Sequence, residues 1–61
     1  MNVNEIYNAL VYGDDTYEYY ETCYGEFVIE AIENTLRDLH IGKATENDLP
    51  RIHRHVIENY I

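Results

Sequence analysis

Three histidines and one cysteine are the side chains that most readily bind metals or act as nucleophiles, so the chain is read from them outward. His53 and His55 form an H-x-H pair. Residues two apart on a helix point to different faces, so the two rings do not converge on one ion. A zinc site needs four convergent ligands at recognisable spacing, and the sequence offers none. His53 falls on an apolar stripe, where a half-buried, hydrogen-bonded ring is expected. His40 sits near the end of a helical pattern and suits the negative pole of the helix dipole. Cys23 lies among Glu21, Tyr24 and Glu26, neighbours that oppose the thiolate a cysteine nucleophile requires. The chain has no serine, and Thr16, Thr22, Thr35 and Thr45 are its other candidate nucleophiles. Carboxylates are plentiful, yet acid–base catalysis needs a pocket that perturbs them, and 61 residues rarely enclose one. There is no glycine-rich phosphate loop. The expectation is a protein without catalytic activity, cofactor or bound metal.

What remains is charge and aromatic surface. The formal net charge is −8. Eight acids, Glu5, Asp14, Asp15, Glu18, Glu21, Glu26, Glu30 and Glu33, precede Arg37, with no lysine or arginine among them. From Arg37 onward, Asp38, Glu46, Asp48 and Glu58 balance Arg37, Lys43, Arg51 and Arg54. The whole imbalance therefore resides in the first 36 residues. Such a surface repels nucleic acid and anionic membranes and attracts basic partners, although solubility alone is also served by it. A single cysteine makes no internal disulfide, the start MNVNEIYNAL lacks a basic leader, and no apolar run approaches the ~20 residues of a membrane span. A cytoplasmic protein is expected.

The elements that would carry these residues are helices. Val3, Ile6, Tyr7, Leu10 and Val11 mark a short helix over Asn2–Tyr12, with Asn2 and Glu5 forming a capping box. A second, long helix is predicted from about Asp15 to Ile41. Tyr17, Tyr20, Tyr24, Phe27, Val28, Ala31, Ile32, Thr35 and Leu39 form its apolar stripe, and the acids lie opposite. Asp15 reads as its N-cap and Gly42 as its C-terminal stop. Gly25 is its weak point, since a mid-helix glycine costs about 1 kcal/mol relative to alanine. Thr16–Tyr24 also suits a strand by composition, but adjacent Tyr19 and Tyr20 break the alternation. After a polar turn over Gly42–Asn47, a third helix is predicted from Asp48 to Tyr60. Its face is Leu49, Ile52, Val56, Ile57 and Tyr60, with Pro50 in its first turn and Asn47 or Asp48, rather than Thr45, as cap. The fold class is all-α: one domain, a small three-helix bundle with a long central acidic helix. A domain this small has a marginal core, and a homodimer would relieve that.

The stretch IGKATENDLPRI, Ile41–Ile52, resembles the opening strand–turn–helix of acyl-CoA-dependent N-acyltransferases. The likeness covers only that stretch, the phosphate loop of that family has no counterpart, and no function is carried across. Three short helices also invite a helix–turn–helix reading. Arg51, Arg54 and His55 are a thin basic supply against so many acids, so direct duplex binding is not expected.

The leading expectation is an acidic inhibitor or decoy whose carboxylates occupy the basic surface of a nucleic-acid-binding protein. The candidate contact residues are Asp14, Asp15, Glu18, Tyr19, Glu21, Glu26, Ile29, Glu30, Glu33 and Leu36, with Tyr12 and Tyr24 as further stacking surfaces for arginine. Ile29 and Leu36 lie seven apart near the acidic face, as an apolar strip rimmed by charge would. In composition the chain is similar to phage-encoded host-takeover proteins, including anti-CRISPR and anti-restriction inhibitors and other DNA mimics, with no motif in common. The alternative is a homo-oligomeric structural or regulatory adaptor, including an antitoxin-like partner. There, Ile29, Leu36 and the tyrosines would make a subunit seam.

Overall fold

The computed structural model describes residues 1–12 and 25–60. Among them are three α-helices: α1 (Val3–Tyr12), α2 (Gly25–Asp38) and α3 (Leu49–Asn59). Each touches the other two. The all-α class and the bundle are as the periodicity predicts. The predicted part of the central helix before Gly25, with its Asp15 cap and the rival strand over Thr16–Tyr24, lies outside the described residues.

α1 begins with the reciprocal cap that its sequence predicts. The Asn2 N–H donates to Glu5 Oε1 (3.1 Å), and the Glu5 N–H donates to Asn2 Oδ1 (2.9 Å). Two of the four orphan donors of a helix start are satisfied this way. Ile6 and Leu10, one turn apart, face inward and are fully buried.

α2 buries Val28, Ala31, Ile32 and Thr35. At about 100° per residue these four span roughly 100° of the wheel, and Glu26, Glu30 and Glu33 lie about 180° away. The opposed stripes predicted for this stretch are therefore present, but Phe27 and Leu36 need separate treatment. Each sits about 90° from the core direction, on opposite flanks. Leu36 packs against the core, whereas Phe27 remains 52% exposed. The sequence places Phe27 on the apolar stripe; in the fold the Leu36 flank of α2 packs on the core and Phe27 is left half open.

The end of α2 corrects a second expectation. The stop is His40, at φ 55°, and not Gly42, whose φ is not positive. Ile41 N–H donates to Leu36 O (2.9 Å), and His40 N–H donates to Arg37 O (3.2 Å). This is the 6→1 and 5→2 bond pair of a Schellman motif, with His40 in the left-handed position usually given to glycine. The helix thus ends at Asp38, short of Ile41.

The link to α3 is more structured than its polar sequence suggests. Ala44 is 3% exposed and belongs to the core, and the Met1 ammonium donates to its carbonyl at 2.5 Å. No strand forms over the segment that resembles an acyltransferase opening. Thr45, in extended backbone, caps a 3₁₀ turn over Glu46–Asp48. Its N–H and hydroxyl both donate to Asp48 Oδ2, at 2.9 and 3.3 Å. Thr45 caps only this 3₁₀ turn; the N-cap of α3 is Asp48, one of the two residues the sequence offers for it, although its side chain makes no capping bond to α3. Asp48 then precedes α3 directly, with Pro50 in the first turn, where no N–H is needed. Ile52 and Val56 are fully buried, and Leu49, Ile57 and Tyr60 pack at the core margin.

Candidate functional site

The outward face of α2 carries Glu26, Glu30 and Glu33, all exposed. Spacings of four and three place them in one row about 10 Å long. Among the described residues, the ion pairs are Arg51–Asp48 (3.6 Å), Arg54–Glu58 (3.2 Å) and His55–Asp38 (3.2 Å). All three take their acids from the second half of the chain, leaving the α2 row uncompensated. Arg37 follows the row on the same face, yet its Nη2 donates to Asn34 Oδ1 (3.0 Å) and not to Glu33.

Of the other predicted contact residues, Asp14, Asp15, Glu18, Tyr19 and Glu21 lie outside the described residues, as does Tyr24. Ile29 is half-buried on α2. Leu36 is half-buried against the core and is thereby drawn away from the acidic row. Tyr12 is 76% exposed at the end of α1, edge-on to Tyr7 with ring centroids 6.3 Å apart. Burial first, and then Tyr12, raise the pKa of Tyr7. A Cβ on Gly25 would lie 2.8 Å from the Tyr7 hydroxyl, so glycine there lets α1 approach the start of α2.

Beside the acidic row lies a feature that the sequence reading did not find. Phe27, Glu30, Ala31, Asn34 and Tyr60 line a shallow cleft of about 100 Å³ between α2 and the end of α3. Ala31, almost fully buried, is its floor. Tyr60 is anchored from behind: its hydroxyl donates to Asp38 Oδ2, which His55 Nε2 also meets at 3.2 Å. The Asn59 amide contacts His55 Nδ1 at 3.3 Å and donates to the His55 carbonyl at 3.0 Å. The His55 and Tyr60 rings are 5.9 Å apart, centroid to centroid. The Tyr60 hydroxyl, and then His55, hold the Asp38 carboxyl below the usual carboxylate range. The same bond raises the Tyr60 phenol. The spacing of Phe27, Glu30 and Asn34 at three and four was visible in the sequence. Their convergence with Tyr60 was not, because it depends on how α3 crosses α2.

The histidines separate as expected. His55 joins the Asp38–Tyr60 cluster, while His53 is half-buried and burial lowers its pKa. Among the described residues no group of three or more histidines, cysteines and acids is arranged to hold a metal ion. No helix among them is long and apolar enough to cross a membrane. Comparison with protein-family models, with curated proteins and with solved structures finds no match to the chain.

Proposed function

We propose that the protein is an acidic decoy that binds the basic, nucleic-acid-contacting surface of another protein. The observation that carries this reading is the row of Glu26, Glu30 and Glu33 on the exposed face of α2, without an ion-pair partner among the described residues. The three carboxylates recur about every 5 Å along the helix, a line of charge somewhat sparser than the one phosphate per ~3.4 Å of a DNA strand. Carboxylates accept the same forked hydrogen bonds from arginine that phosphates do. Concentration of the chain's net negative charge before Arg37 would also steer a basic partner to this side. Phage-encoded inhibitors of nucleic-acid enzymes, anti-CRISPR proteins among them, are the functional class that such a surface suits.

The test is capture from a lysate on the immobilised chain at low and high salt, followed by competition with duplex DNA. A basic nucleic-acid-binding protein should be retained at low salt, released at high salt and displaced by DNA. Glu26→Gln, Glu30→Gln and Glu33→Gln together should abolish its retention. Retention indifferent to salt, to DNA or to the triple substitution would exclude the decoy role. A chain that sediments as a stable dimer with α2 at the seam would favour the adaptor role instead.

A further inference from the structure

We infer that the cleft beside the acidic row receives the guanidinium of an arginine side chain from the basic partner; this deepens the decoy reading and rests on it. The volume, about 100 Å³, is below the ~150 Å³ that accommodates benzene and far below a metabolite pocket of ~300 Å³ or more. It suits a group of a few heavy atoms. Its walls are two aromatic rings, Phe27 and Tyr60, with one carboxylate, Glu30, and one amide, Asn34. Aromatic faces attract cations, and a flat guanidinium can stack on a ring while giving paired hydrogen bonds to a carboxylate. A lysine ammonium can do only the first of these well.

Two further observations favour a cation from outside. Glu30 has no ion-pair partner among the described residues, and Arg37, which does not itself line the cleft, donates to the Oδ1 of the lining residue Asn34, so Glu30 is the acceptor left for an incoming cation. The Tyr60 hydroxyl is committed to Asp38, so its ring is set as a wall and its proton does not compete for Glu30.

The full chain, ¹⁵N-labelled, would be titrated with N-acetyl-arginine amide, N-acetyl-lysine amide and the uncharged isostere N-acetyl-citrulline amide. Arginine should produce saturating shifts clustered at Phe27, Glu30, Asn34 and Tyr60. Lysine should bind more weakly, and citrulline should leave the spectrum unchanged. Phe27→Ala should weaken arginine binding about fivefold, the loss expected for one cation–π contact at a partly exposed site. Because Phe27 is 52% exposed, this variant should keep the fold, which the remaining resonances report. Glu30→Gln should weaken binding at least as much. Shifts spread over all the acids without saturation, equal binding of citrulline, or full affinity in Phe27→Ala would overturn the assignment. The two proposals fail separately. Salt-sensitive capture that survives Phe27→Ala would leave the acidic row standing without the cleft. Arginine saturation without capture of any basic protein would leave the cleft standing without the decoy.

Discussion

The hydroxyl of Thr35 is fully buried and has no hydrogen-bond partner. A buried, unsatisfied polar group costs about 1–3 kcal/mol, whereas a methyl of similar shape costs nothing there. Thr35→Val should therefore stabilise the protein by about 1 kcal/mol, raising Tm by about 4–8 °C in a domain of this size. Thermal unfolding followed by circular dichroism measures it, and a lower Tm would mean that the hydroxyl finds a partner in solution. Thr35 fills a gap in the apolar stripe of the sequence, so its burial was legible there. Its missing partner was not, because that depends on every atom around it.

At the scale of the elements, the informative feature is the C-terminal end of α2. His40 holds a left-handed backbone at φ 55°, while Gly42 does not use its freedom and has open space around an added Cβ. Exchanging the roles should help. His40→Gly should gain up to about 1 kcal/mol by removing the left-handed strain, and Gly42→Ala about 0.4–1 kcal/mol by restricting the unfolded chain. Urea denaturation distinguishes these gains from the losses expected if Gly42 were the cap. The sequence favoured Gly42 because glycine is the usual left-handed residue, but the 6→1 bond to Leu36 fixes the position two residues earlier. The same end of α2 is tied to α3 through Asp38, Tyr60 and His55. Since the Asp38 pKa is lowered by folding, its contribution is complete above about pH 4 and is lost as pH falls through the folded value. Since the Tyr60 pKa is raised, its contribution is complete below about pH 10 and is lost as pH rises through the folded value. Asp38→Asn should thus destabilise at pH 7, and the deficit relative to wild type should shrink below about pH 4. A deficit constant from pH 2 to pH 7 would mean that the charge of Asp38 contributes nothing.

For the molecule as a whole, periodicity alone identified three helices, most of their inward positions and the row of Glu26, Glu30 and Glu33 on α2, because each follows from spacing along one helix. What it could not supply were relations between helices. Phe27 and Leu36 are equivalent on the wheel, and only the packing decides that Leu36 is covered and Phe27 left open. Ala44 reads as part of a polar turn and is buried because the turn folds under the chain start. The cleft belongs to this category, since Tyr60 reaches it from another element. Mutual contact of all three helices carries a practical consequence for anyone hoping to shorten the protein into a reagent. A synthetic peptide of Gly25–Asp38 holds every glutamate of the row, yet its 14 residues fall near the length at which a solitary helix melts in water. Its circular dichroism should be that of a coil. Miniaturisation would have to begin with a staple or a graft onto another scaffold, because the rigidity of the anionic display is borrowed from its neighbours.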